Sequence, residues 1–397
     1  MKPWPLWDTP FFEDRHRAFA RTLLDLELPE IDEDSRDLGA VSRVLARAMG
    51  AQGLLGVVVP PGAETGDARI DLRGVCLARE VLAYRFGDLA DSVFVMQGIG
   101  TAALWQTGSA ALCQRYLPPA RRGEAIAALA LTEPETGSDV ANITTSAERD
   151  GEGWRITGEK TFISNAGFAD HYVVIARTGE APGARGLTAF LVDADAAGLS
   201  AGPPIDFMAP HPAAPLRLDA VRVGPDRLVG APGQGFKVAM ATFDVFRASV
   251  GAAGIGAGRR ALDESLDRVT GRRLFGKAMA EMNGVQTKLA EMATTLEQAA
   301  LCVYRAAWAK DTTGGRCTRD VSMAKLTGSE AAASVVDSAV QLFGGAGVAR
   351  GSVVEKLYRE VRPMRIYEGA SEVQKLVIAR DLIKSHQPKG HQRESGQ

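Results

Sequence analysis

The sequence predicts a mainly helical α+β protein: an N-terminal helical domain, a small antiparallel β-domain in the middle, and a C-terminal bundle of the four-helix type. Three observations carry this. Apolar residues recur at helical spacing through residues 1–122. Short β-prone runs bounded by Gly and Pro fill 123–235. The helical period then returns at Phe236 and persists to about Lys384. The expected domains are 1–122, 123–235 and 236–385, followed by a polar tail, 386–397, expected to be disordered. At 397 residues the chain is long enough for two or three packed units.

In order, Phe11, Phe12, Phe19, Leu23 and Leu24 make a first amphipathic stretch; Val41, Val44, Leu45 and Met49 make a second, stopped at Gly50. An apolar run from Leu54 ends at Pro60-Pro61. Helical patterns resume over Asp71–Phe86 and Ser92–Trp105, and Tyr116-Leu117-Pro118-Pro119 closes the section. In the middle, Asp150-Gly151-Glu152-Gly153 separates Ile143–Arg149 from Trp154–Thr157, a hairpin signal. His171–Ala176, Leu187–Val192 and Leu216–Val223 are further strands, and Pro203–Pro215 is a proline-rich loop. In the last part, Val285, Leu289, Met292, Leu296, Ala299 and Val303 step by fours and threes, the narrow seam of a bundle helix.

A net charge of -2 gives no sign of a nucleic-acid or membrane-surface partner. Cys76, Cys113, Cys302 and Cys317 are scattered, without a C-x-x-C pair, so neither a disulfide frame nor a zinc site is expected. The five histidines are equally dispersed. The first residues show no apolar signal core, no uncharged run is long enough to cross a bilayer, and a reducing cytoplasm is the expected setting.

Two glycine-rich motifs are set aside. Gly271-Arg272-Arg273-Leu274-Phe275-Gly276-Lys277 nearly spells a P-loop, but Ala278 stands where a magnesium-holding hydroxyl belongs. Gly251-Ala252-Ala253-Gly254-Ile255-Gly256 falls inside a predicted helix rather than after a strand, so its glycines serve close helix approach and not a dinucleotide. The segment that organises the chemistry is Tyr367-Glu368-Gly369-Ala370-Ser371. It breaks two helical patterns, Val354/Leu357/Val361 before it and Val373/Leu376/Val377 after it, with Ser371 as the expected N-cap. A carboxylate on the break, a glycine that admits close backbone approach, and free N–H groups at the next helix start offer a base and an anion cradle together. An ordinary acidic helix start is the plain alternative.

That loop resembles the base-bearing loop of the acyl-CoA dehydrogenases. Thr132-Glu133-Pro134-Glu135-Thr136-Gly137-Ser138-Asp139 resembles their flavin-side segment, Arg272–Gly276 and Gln341–Gly347 two further ones, all in the family's order and spread over most of the chain. The resemblance implies FAD as cofactor. Leu129 to Ser138 would line the flavin, with Leu131 and Thr132 at its polar edge, Gly137 in the turn and Ser138 also reaching acyl-CoA. Phe162, Ile163 and Ser164 would cover its other side, Phe162 standing where Trp is usual. Gln341, Leu342, Gly344 and Gly345 would meet the adenosine half. That loop and the one carrying Arg272 and Phe275 would reach a neighbouring subunit's cofactor, with Asn283 replacing a usual Gln. Gly369, Ala370, Ser371 and Glu372 would complete the cofactor set.

By the same resemblance the substrate side comprises Ser138, Asp244, Phe246, Arg247, Glu368, Gly369 and Arg380. Some relatives carry the base on the earlier helix at the place of Phe246, which cannot ionise, so Glu368 is the expected base. The implied reaction is α,β-dehydrogenation of an acyl-CoA thioester to the 2-enoyl-CoA. Glu368 takes the α-proton and the β-hydride goes to flavin. An electron-transferring flavoprotein would be the electron partner, and the assembly a homo-oligomer, a tetramer. Departures stand at Thr136 and Asn142, at Ala209–Pro215 with His211, and at Gly351 and Ala370. Those at Ala370, Gly351 and the proline-rich loop keep open an inactive binding protein of the family, and because Glu368 does not exclude oxygen reactivity, an oxygen-using oxidase or monooxygenase on the same scaffold is the other alternative. Phe246 points to a restricted pocket for short, branched or cyclic acyl chains. His211 is expected to be a satisfied loop histidine.

Overall fold

The computed structural model describes residues 5–66, 68–315 and 317–386. The helical N-terminal part comprises α1 (Asp14–Leu24), α2 (Leu38–Ala51), α3 (Leu72–Arg85), α4 (Asp88–Thr107) and α5 (Ala110–Arg121). Side chains of Asp37 and Ser109 cap α2 and α5 by accepting from Ala40 and Leu112 N–H groups, at 2.9 and 3.3 Å. Helices α3 and α4 bury nearly every face, as central helices must. Helix α5 runs through Pro118 and Pro119, which were expected to end the helical part. They sit in its last turn, where few backbone bonds remain to be lost.

The strands are β1 (Ala127–Ala130), β2 (Ser146–Asp150), β3 (Gly153–Ser164), β4 (His171–Arg177), β5 (Leu187–Asp193), β6 (Leu199–Ala201), β7 (Ala213–Val223) and β8 (Leu228–Val229). They order as β6-β7-β3-β2-β4-β5-β8, with β1 beside β4. Asp150 opposes Gly153 in the expected hairpin, with Gly151 at φ 63°. The sheet is mixed rather than wholly antiparallel: β1 pairs with β4 in parallel over four residues. Ala127-Ala128-Leu129-Ala130 is too short and too uniformly apolar to declare a direction.

Helix α6 (Gly235–Gly271) opens the bundle, followed by α7 (Asn283–Thr313), α8 (Thr318–Phe343), α9 (Val353–Val361) and α10 (Ser371–His386). Its glycines do bring helices together. A Cβ at Gly251 would lie 2.5 Å from the Ala324 carbonyl oxygen of α8, and one at Gly256 would strike the Glu80 backbone of α3. By length and composition alone α6 and the α8 region are apolar enough to cross a bilayer, but 78% of the α6 window is buried in the protein, which accounts for its apolarity. The expected seam on α7 is buried from Met292 through Val303, while Val285 and Leu289 are only half-buried.

The bundle is not continuous helix. Between α6 and α7, β9 (Arg273–Leu274) and β10 (Lys277–Ala278) form a tight hairpin, with Phe275 and Gly276 at φ 50° and 84°. Two successive positive φ values match the twist of a two-residue turn. Of the expected disordered tail, His386 ends α10 and the remainder lies outside the described residues.

Candidate active site

Glu368 lies between α9 and α10 at φ 51°, a left-handed conformation that costs a non-glycine residue of the order of 1 kcal/mol. Its backbone side is partly open, yet both carboxyl oxygens are buried and neither has a hydrogen-bond partner among the described residues. Burial pushes its pKa above the ordinary carboxylate value, against the pull of Arg79, Lys325 and Arg247 and with a smaller push from Asp91. The loop is pinned from behind. The Lys325 ammonium on α8 and the Gln374 amide on α10 both donate to the Gly369 carbonyl, each at 2.9 Å. A Cβ on Gly369, at φ 92°, would strike the Gln374 amide, so that position requires glycine.

Ser371 is not the N-cap. The Ala370 carbonyl accepts from Gln374 N–H at 3.0 Å, which makes Ala370 the cap and Ser371 the first helical residue. The Ser371 hydroxyl instead donates to Glu330 at 2.6 Å, and Arg365 holds the same carboxyl oxygen at 2.9 Å. The helix start is thus tied to α8 through a side chain rather than closed on itself.

Around Glu368 the structure gathers three elements. On α6, Arg247 donates to Asp244 at 3.2 Å and keeps a buried Nε–H without a partner. Thr318 on α8 donates to the other Asp244 oxygen at 3.4 Å. Phe246 is wholly buried: a Cβ on Gly98 of α4 would fall 2.6 Å from its ring and 2.8 Å from Val58. Arg79 on α3 donates bidentately to Asp91 at 2.6 and 2.9 Å and to Ser249 at 3.1 Å, all buried. Neither Arg79 nor Lys325 was singled out from sequence. Arg79 left a signal, the adjacent charges Arg79-Glu80 inside the otherwise apolar run Val75–Ala83; Lys325 and Gln374 left none, since polar residues on α8 and α10 read as solvated.

The flavin segments are built to receive a flat, partly apolar ligand. The Thr161 N–H donates to the Thr132 carbonyl at 2.9 Å, joining the Thr132–Asp139 turn to the 162–164 segment. Leu131 is buried with its carbonyl held by Lys160 at 3.0 Å; Leu129 is half-buried on β1; Gly137 and Ser138 are exposed. The Thr136 hydroxyl is buried without a partner. Phe162, at φ 55°, leaves its ring 58% exposed, while Ile163 beside it is 2% exposed. An exposed aromatic plane, an orphaned hydroxyl and open space beside Gly137 fit the isoalloxazine of FAD.

The adenosine-side residues collect elsewhere. Arg272 and Phe275 are exposed, Phe275 by 94%, and Asn283 starts α7 in the open. Arg268 at the end of α6 donates to the Phe343 carbonyl at 3.3 Å and stacks on its ring, which brings the Gln341–Gly345 turn to that side. Gly344 and Gly345 have nothing within 4 Å of a built Cβ. Leu342 is 7% exposed: its side chain belongs to the bundle core, which leaves its backbone for the expected approach of this loop to a cofactor. Glu372 and Arg380 are exposed on α10; nine residues from Ser371, Arg380 is ~13 Å further along the axis. Of the expected site residues, Glu368 and Gly369 share the loop, Arg247 acts on Glu368 electrostatically and bonds to Asp244, Phe246 is buried on the same helix against Gly98, and Arg272, Phe275, Asn283 and Arg380 stand on open surface.

A helical domain, a small sheet and a bundle carrying an unpartnered buried carboxylate define a class of flavin-dependent CH–CH oxidoreductase. Comparison with known proteins names the family. Residues 11–124 match the acyl-CoA dehydrogenase N-terminal domain, 128–221 its middle domain and 233–383 its C-terminal domain. The chain is 37% identical to the cyclohexane-1-carbonyl-CoA dehydrogenase of Geobacter metallireducens, over 84% of this chain and 87% of that one. It is 34% identical to the 3-(aryl)acrylate reductase of Clostridium sporogenes, over 94% of this chain and 100% of that one. A glutaryl-CoA dehydrogenase from Mycobacterium smegmatis in complex with FADH2 superposes with a TM-score of 0.84 at 26% identity, over 96% and 97% of the two chains. The protein belongs to the acyl-CoA dehydrogenase family. It is an FAD-dependent oxidoreductase acting on CH–CH bonds.

Proposed function

We propose that the protein oxidises an acyl-CoA thioester to its 2-enoyl-CoA, with Glu368 as the α-proton acceptor. The observation that carries this is the Glu368 carboxylate: buried, unpartnered on both oxygens and raised in pKa, hence a base with a vacancy for one proton. FAD, when bound, supplies the hydride acceptor. The Glu368 N–H has no partner among the described residues and stands ready for the thioester carbonyl, whose polarisation acidifies the α-carbon. Lys325 and Gln374 hold the loop through Gly369, so that the base meets its substrate without reorganising. Arg247, with its free Nε–H, and Asp244 offer polar contacts to the CoA portion.

The buried Phe246 ring, packed on Gly98, supports a short, branched or cyclic acyl group. The exposed Arg272–Phe275 hairpin and Gln341–Gly345 turn support a homotetramer in which these loops reach a neighbour's cofactor. By family kinship the electron partner is an electron-transferring flavoprotein, and the cytoplasm is the setting we assign. The test is anaerobic titration of the FAD-loaded protein with a panel of acyl-CoA thioesters. Wild type bleaches with at least one; Glu368→Gln keeps its yellow FAD and does not. Full bleaching by Glu368→Gln removes the proposal.

A further inference from the structure

The Ala209–Pro215 departure finds its use in the structure. His211 bridges two elements: its Nδ1 lies 2.9 Å from the Ser92 hydroxyl on α4, and its Nε2 lies 2.8 Å from the Ser164 hydroxyl at the end of β3. Pro210 and Pro212 flank it and restrict its backbone, and the Pro212 carbonyl accepts from Asn165 N–H at 2.9 Å, tying the loop to β3. The Phe207 ring stands edge-on to the imidazole at 6.0 Å. The imidazole is held in one place from several sides.

A neutral imidazole has one N–H and one acceptor nitrogen, so one serine donates into the ring and the other accepts from it. Burial decides which. Ser92 is 6% exposed and its hydroxyl bonds to nothing else among the described residues; were it to accept from Nδ1–H, its own proton would be stranded in the interior at a cost of ~1–3 kcal/mol. Ser164 is half-buried, beside the exposed face of Phe162, where a proton can be given to a ligand. Ser92 therefore donates to Nδ1, Nε2–H donates to Ser164, and the Ser164 proton points out of the network. Burial holds His211 down to about 4, so the ring stays neutral.

We infer that His211 is a positioning residue that fixes the Ser164 hydroxyl as a hydrogen-bond donor toward the bound flavin. This rests on the reading that residues 162–164 cover the isoalloxazine. The relay assigns a role to the loop residue that the sequence marks only as a departure.

Two measurements on the FAD-loaded protein test it. In nitrogen-15 histidine NMR, with His211 assigned by comparison with His211→Gln, a protonated Nε2 and a bare Nδ1 are expected; a protonated Nδ1 overturns the relay. The second is the reduction potential of bound FAD in Ser164→Ala, His211→Leu, His211→Gln and the Ser164→Ala/His211→Leu double variant. Ser164→Ala and His211→Leu should move it in the same direction, each by a tenfold change in relative affinity for oxidised and reduced flavin, about 30 mV for a two-electron couple. The double variant should move no further than Ser164→Ala. His211→Gln, whose amide reaches the Nε2 position, should stay near wild type. A shifted Ser164→Ala with unshifted His211→Leu sinks the relay alone; an unshifted Ser164→Ala sinks the flavin placement of 162–164 and the relay with it. If His211→Leu does not fold, the tautomer measurement still decides.

Discussion

Glu133 and Glu368 are the same side chain in two regions, each with its carboxyl group inside the protein, and they are prepared for opposite fates. Glu133, in the turn after β1, accepts from Thr144 N–H at 2.6 Å, the Thr144 hydroxyl at 2.8 Å, Thr145 N–H at 2.9 Å and Lys160 at 2.9 Å. Lys160 and these donors outweigh burial and hold its pKa down to about 2. Glu368 accepts from none of the described residues, and burial wins. Full satisfaction makes a structural anion; withheld partners leave a carboxyl group that keeps a proton more readily. The lesson is that burial alone does not mark a catalytic carboxylate. Both oxygens buried and vacant set Glu368 apart from Glu133 as the candidate.

The comparison can be broken most sharply at Glu368. Glu368→Gln should slow flavin reduction by acyl-CoA by ~10³-fold or more, read in anaerobic stopped flow. Glu133→Gln should be the larger injury to the fold. It leaves Lys160 buried without its anion and should cost ~3–5 kcal/mol in denaturant unfolding. Replacing both, as Glu133→Leu with Lys160→Met, should recover most of that loss.

The pH dependence sharpens the contrast. Glu133 has a depressed folded pKa, so its stabilisation is complete above ~4.5 and disappears as pH falls toward about 2. Glu368 has a raised folded pKa, so the folded state binds its proton more readily than the unfolded one, and stability is lost as pH rises past the ordinary carboxylate range. At pH 8 Glu368→Gln should consequently be more stable than wild type. A Glu368→Gln melting temperature below wild type at pH 8 would contradict the cost assigned to the vacant carboxylate. The smallest expected effect is at the clamp. Lys325→Met leaves the Gly369 carbonyl to Gln374 and should slow flavin reduction about fivefold, or ~1 kcal/mol. Since Lys325 pulls the Glu368 pKa down, the variant's pH–rate profile should move upward.

Much of this was legible in the residues. The loop carrying Glu368 announced itself because a carboxylate and a glycine interrupt two helical periods, and the Asp150–Gly153 turn and the α6 glycines declared their geometry through backbone chemistry. Other features depend on partners distant in sequence. The capping role of Ala370 was hidden because Ser371 has a better acceptor in Glu330 of α8. The Arg273–Ala278 hairpin was hidden because two-residue strands have no periodicity. The parallel place of β1 depends on β4, over 40 residues later. Lys325 and Gln374 act on a carbonyl, and a carbonyl leaves no mark in a sequence. At Leu342 a side chain and its backbone serve different masters: the core takes one, the turn the other.

Where α6 crosses α8, Gly251 faces Gly328, and a Cβ on Gly328 would fall 2.3 Å from the Gly251 Cα, which bears on how such a protein can change. At that seam main chain rests on main chain, and a Cβ on either glycine would collide with the backbone of the other helix. There is no side chain to trim or enlarge, so the spacing of α6 and α8 is closed to gradual adjustment. A lineage descending from this one would have to change elsewhere, in side chains and loops, while the glycine crossing stayed as inherited.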